Sequence, residues 1–167
     1  MTAGRLIAVF LVLSGLVAGV GVYWLQVHAF YDRLPEQDHV MLTPAAGGAP
    51  VPVPVTGFQG IDSDSSPIRY RACFTLAEEG DFAPHPEATP LNAPGWFSCF
   101  DAPALGAALR EGRARAVLAE ENVRFGIDRV AVLFPDGRGY AWTQINRCGQ
   151  AHFDGLPLPP GCPAPDS

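Results

Sequence analysis

Between Arg5 and Asp32 the chain carries no Asp, Glu, Lys or Arg, and from Leu6 to Leu25 every residue is apolar or small. A run of this kind has few options. A helix needs about 20 predominantly apolar residues to cross a ~30 Å hydrocarbon core. It is also the one single segment that satisfies its own backbone there. Residues 6–31 are therefore predicted to be a transmembrane helix, with residues 1–5 as a cytoplasmic tail.

Arg5 precedes the run, while Asp32, Glu36 and Asp38 follow it. Basic flanks stay in the cytoplasm, which puts the amino terminus inside and the rest of the chain outside. Tyr23, Trp24, Phe30 and Tyr31 fit an aromatic belt at the far interface. A cleaved signal peptide is the competing reading, because Val27 and Ala29 form a small-x-small pair. The run exceeds the usual ~7–15 residues of a signal h-region, and bulky Tyr23, Trp24 and Gln26 stand just before that pair. Retention is the expectation. Gly15-x-x-x-Gly19 would let a second helix approach closely, offering a homodimer or a membrane-protein partner. Glycine is, however, common in membrane spans in any case.

All 11 basic residues are Arg, beside 18 Gly and 17 Pro. That usage is typical of a GC-rich bacterial genome, so "outside" is expected to mean the periplasm. The net charge of −6 argues against nucleic acid as a partner, since phosphate binding needs a positive patch.

Cysteines stand at 73, 99, 148 and 162. An even count in an exported chain reads as two disulfides. Three pairings are possible; Cys73–Cys99 and Cys148–Cys162 are preferred because both close short loops. Closing a loop of ~15 residues is worth about 3 kcal/mol in the chain-entropy picture. A redox-active pair is the rival reading, but the spacing is not C-x-x-C.

Residues 32–57 read as a linker. Pro44 to Pro54 is proline-rich, and proline cannot donate to a strand ladder. An extended, polyproline-like spacer follows, leading into a folded domain over 58–167. Within that domain Ile68, Tyr70, Ala72 and Phe74 alternate with Arg69, Arg71, Cys73 and Thr75, as in a half-buried strand. Residues 77–98 read as a long loop. Asp101 is a candidate N-cap with Pro103 in the first turn, predicting a helix over 102–111 stopped by Gly112. Residues 114–121 lean to strand. Arg129–Phe134, the turn Pro135–Gly139 and Tyr140–Ile145 read as a hairpin. Its first strand, apolar on both faces, is expected in the sheet centre under the helix. The last 20 residues should wrap over an edge. The predicted class is α+β: an antiparallel sheet of four or five strands, one helix and two disulfides.

Little in the sequence names a reaction. Asp62-x-Asp64-x-Ser66 begins like a calcium loop, but Pro67 and Cys73 stand where Gly and Glu are needed. A solvated turn is expected instead. His28, His39, His85 and His152 have no metal-ligand spacing. Neither a metal nor another cofactor is inferred, and no residue is assigned as catalytic, since no catalytic motif is present. Arg69 and Arg71 form the one candidate binding pair, suited to a carboxylate or phosphate. Beside a free Cys73 they would activate its thiol. The plainer reading is internal pairing with Asp62, Asp64 or Glu120.

The anchor through Tyr31, the stretch Ile61–Phe74 and the stretch Phe134–Trp142 together resemble an uncharacterised family of alphaproteobacterial single-pass membrane proteins, a domain of unknown function. The resemblance runs nearly the whole length and implies an inner-membrane protein facing the periplasm. It implies no activity. Some relatives are called histidine kinases, but this sequence holds no ATP-binding core. The expected role is a membrane-anchored periplasmic interaction module, an accessory or assembly component of an inner-membrane complex, without enzymatic activity. The alternatives are a sensor or small-ligand-binding domain built on Arg69 and Arg71, and a thiol-redox protein.

Overall fold

The computed structural model describes residues 2–28 and 30–165. Ala29, and with it half of the small-x-small pair, lies outside the described residues. The chain divides into two compact units, Met1–Asp32 and Arg33–Ser167. In the first, α1 spans Ala3–Val27 and buries none of its side chains. Among the described residues it is the one helix long and apolar enough to cross a membrane. Gly15 and Gly19 meet no other part of the chain.

The second unit is a seven-stranded sheet with two short helices. In chain order it runs β1 (Asp32–Arg33), β2 (His39–Leu42), β3 (Val51–Asp62), β4 (Arg71–Leu76), α2 (Ala102–Arg110), β5 (Arg115–Arg124), β6 (Ile127–Leu133), β7 (Arg138–Ile145) and α3 (Arg147–Phe153). The lateral order is β1-β3-β4-β7-β6-β5, with β2 on the first part of β3. The class is the α+β fold expected, with more strands and a further helix at the carboxyl end. The hairpin β6–β7 and the helix α2 fall where the sequence placed them. Asp101 caps α2 by accepting from the Ala104 N–H at 3.0 Å.

The proline-rich stretch corrects the expected linker. Residues 44–54 are not a free spacer; Val51–Pro54 pair with β2, and pairing with β4 starts only at Val55. Proline is tolerated where a strand is paired on one side. Val53 and Val55 are buried while Pro52 and Pro54 face out, so the segment keeps the period of two that a sheet demands. A bulge between Thr56 and Gln59 then bends β3 from one partner to the other, as bulges do.

The sheet curls until its ends meet. Past β2, the Thr43 N–H donates to the Leu118 carbonyl of β5 at 3.1 Å, and Thr43 Oγ1 donates to the Ala119 carbonyl at 2.9 Å. Residues 82–85 complete the seam: the Ala83 N–H reaches Thr43 O, and the Leu118 N–H reaches Ala83 O, each at 2.8 Å. The edge of β5 is thereby covered, which removes a template for unwanted pairing. Inside the curl, Ala72, Ala141, Ala131 and Val117 form one in-register row across β4, β7, β6 and β5. Small residues there leave room for Phe58, Phe74 and Phe82 in the same core.

The outer face is covered as well. Phe100 sets its edge against Trp142 at 6.2 Å, and Leu105 and Ala108 of α2 are buried. Trp142, Val130 and Val132 are fully enclosed. The expected one-face burial of the Ile68–Thr75 strand therefore becomes burial on both faces.

Candidate functional site

Cys73 is bonded to Cys99, and Cys148 to Cys162. None of the four cysteines is free. Cys73 belongs to the outer face of β4, so its bridge pins the segment leading into α2 against the sheet.

Arg71 is only 4 % exposed. Its Nε donates to the Leu91 carbonyl at 2.9 Å and its Nη2 to that of Asn92 at 3.1 Å. Its Nη1 donates to the carbonyls of Ile68 at 2.9 Å and Tyr70 at 2.7 Å. The planar fork thus gathers two loops, which a point-charge ammonium could not do in the same way. Arg69 turns to the Ser65 hydroxyl at 2.9 Å. The two members of the candidate binding pair thus take different acceptors, Arg71 backbone carbonyls and Arg69 the Ser65 hydroxyl. These four Arg71 bonds run to backbone carbonyls, and Glu120 is paired with Arg129.

The Asp62 turn behaves as a turn. Asp62 Oδ1 accepts from the Ser63 N–H at 2.8 Å, and the Ser63 and Ser65 hydroxyls bond each other at 2.8 Å. Among the described residues no three His, Cys, Asp or Glu side chains cluster in a way that could hold a metal ion.

Two polar groupings escape a reading of the sequence. In the first, Thr143, Arg129 and Glu120 stand opposite one another on β7, β6 and β5, at one end of the curled core. The Arg129 guanidinium lies 4.3 Å from the centre of the Tyr70 ring. Burial pushes the Tyr70 phenol up to about 12, partly offset by the Arg129 cation. Tyr70 is thus a neutral phenol at any ordinary pH. A cavity of about 60 Å³ opens beside Tyr70, Arg129 and His39. That is room for a few water molecules and not for a metabolite.

The second grouping centres on buried Asp128. It accepts from the Asn122 N–H at 2.9 Å and from Asn146 Nδ2 at 2.8 Å. Asn146 in turn caps α3, accepting from the N–H groups of Cys148 and Gly149, each at 3.0 Å. Asn122 holds the left-handed backbone, φ 48°, that Asn tolerates better than most residues. A signal was available: Asn146 stands immediately before a short run that Asn capping could open.

The surface concavities are broad. One of about 520 Å³ lies among Glu79, Asp81, Arg113, Arg115 and Phe134. Its cations are engaged: Arg113 with Glu111 at 2.6 Å, and Arg115 with the Gly80 carbonyl. A second, of about 610 Å³, runs between Pro84, Pro86 and Pro90 on one wall and Leu109 of α2 on the other. A third, of about 370 Å³, is lined by His85, Glu87, Glu121 and Asp128. Arg69 and Arg71 line none of these.

A family model described as a family of unknown function (DUF6446) matches residues 40–163. No curated protein matches the chain, and no solved structure does. The match opens within β2 and closes just after Cys162, so it takes in the proline-rich strand and both disulfides.

Proposed function

The chain belongs to this family of unknown function, DUF6446, and we propose that it is a membrane-anchored interaction module rather than an enzyme. Its working place is the periplasmic side of a bacterial inner membrane, where it serves as an accessory or assembly component of a membrane complex. The observation that carries this reading is how the reactive groups are used. The cysteines are bridged, Arg71 is spent on carbonyls, and Arg129 is spent on Glu120. What is left is a stapled, seam-closed domain behind a helix of spanning length. Two disulfides fit an oxidising compartment, and the charge flanks fit an amino terminus inside.

Crosslinking in native membranes, followed by purification in mild detergent, tests the reading. A stoichiometric partner protein is the expected result. Recovery of the chain alone under every gentle condition would overturn it.

A further inference from the structure

The sheet has two ends, and the chain enters at one of them. The end of β3, the start of β4, the end of β7 and the start of β6 lie side by side, since Ile61 pairs with Arg71, Arg71 with Trp142, and Ile127 with Ile145. The entering chain reaches that same end, where the Leu34 N–H donates to the Gly60 carbonyl at 2.9 Å. α3 also sits there. It follows β7 directly, and its Gly149 abuts Gly126 of the β5–β6 turn.

This end carries the large apolar side chains that the domain leaves uncovered around α3. Phe153 is 56 % exposed and Leu156 60 %. The Leu156 N–H bonds back to the Ala151 carbonyl at 2.8 Å, which holds it beside the helix. Phe125 extends the surface through an edge contact with His152 at 5.1 Å, and His152 meets Phe153 at 5.5 Å. Adjacent exposed apolar groups of this size mark a surface that meets something apolar.

The tether names the occupant. Only residues 28–31 lie between α1 and β1, so Asp32 stays within about 17 Å of the helix end at ~3.3–3.6 Å per residue. Exposed Tyr23 and Trp24 mark that helix end as the level of the headgroups. A domain so closely tethered, entered at the end that carries α3, has the bilayer surface as its nearest apolar phase. We propose that Phe125, Phe153 and Leu156 rest in the headgroup–acyl boundary and hold the domain against the membrane. The inference rests on the anchored reading above. The attachment is apolar, in keeping with a net charge of −6 and with the shallow burial typical of interfacial segments.

The test uses the full chain reconstituted into vesicles of phosphatidylethanolamine and phosphatidylglycerol brominated near the top of the acyl chains. Wild type and F153W are compared by tryptophan fluorescence. Both are compared in a W96F background, since half-buried Trp96 would add its own signal; Trp24 then reports the anchor, and fully enclosed Trp142 serves as the unquenched reference. The expected result is that the indole added in F153W is quenched about as strongly as Trp24. If Trp24 is quenched and the added indole is not, with water-like emission, the patch faces solvent and the inference is overturned. Unquenched but blue-shifted emission would mean that a protein, whether a second copy or a partner, covers it, and would overturn the inference equally. An unquenched Trp24 would remove the anchor itself, and the membrane contact with it.

Discussion

Gly126 and Gly149 meet backbone to backbone. A Cβ on Gly149 would lie 2.2 Å from the Gly126 carbonyl oxygen, and one on Gly126 would lie 2.3 Å from Gly149 Cα. Neither neighbour is a flexible side chain that could swing aside. Gly126 also holds φ +73°, which strains any residue with a Cβ. G149A should therefore cost about 1–3 kcal/mol, the usual range for overpacking. Denaturant unfolding of the full chain in mild detergent measures it. A midpoint equal to wild type would show that α3 is not seated on this contact.

Arg71 gives a second test, of geometry rather than charge. Its guanidinium satisfies carbonyls of residues 68, 70, 91 and 92. R71M would leave buried acceptors without a donor, at about 3 kcal/mol or more. R71K keeps the charge but loses the fork, so it should recover little of that loss. Comparing the two unfolding midpoints checks this; full rescue by lysine would show that charge alone holds the loops.

These two sites also show where sequence reading stops. The β6–β7 hairpin, α2 and the short-loop cysteine pairs were legible because their signals are local: turn residues, a cap and a spacing. The role of Arg71 was not legible. Its acceptors Leu91 and Asn92 are backbone groups about twenty positions away, and backbone carbonyls leave no mark in a sequence. The strand Val51–Asp62 was hidden for a different reason. Its prolines outweighed the alternation of Val53 and Val55, although a strand paired on one side tolerates them. α3, from Arg147 to Phe153, is too short to show a helical period, and only its Asn146 cap announces it.

Tyr70 supplies a pH prediction. Its phenol lies at about 12 in the fold against an ordinary value of 10.0. The fold favours the neutral form, so the contribution is complete below pH 10 and is lost as pH rises through about 12. Full loss amounts to roughly 2–3 kcal/mol. The chain has no lysine to titrate in that window. Y70F should flatten the alkaline fall in stability between pH 10 and 12. An equally steep fall in Y70F would place its cause elsewhere.

The disulfides should differ in weight. Cys148–Cys162 spans 14 residues and Cys73–Cys99 spans 26, for about 3 and about 3.5 kcal/mol by loop entropy. Cys73 and Cys148 are both buried, so each double substitution carries a similar packing loss and the longer loop sets the order. The first pair of substitutions should lower the thermal midpoint more than the second. The reverse order would mean that the carboxyl-terminal loop carries more of the fold than its size suggests.

Topology decides whether those bridges form at all. Arg5 precedes the apolar run and Asp32 follows it, a charge asymmetry that by the positive-inside rule predicts an outward domain. Alkaline phosphatase needs its own disulfides and is active only in an oxidising compartment, so a fusion after Ser167 should be active in cells. Thiol labelling of the same protein, unfolded without reductant, should then find no reactive cysteine. An inactive fusion together with labelled thiols would turn the domain inward. It would remove both staples, and the periplasmic reading would go with them. An active fusion with labelled thiols would keep the orientation and leave the bridges incomplete. The stability lost through C73A/C99A should then shrink in proportion to the unbridged fraction.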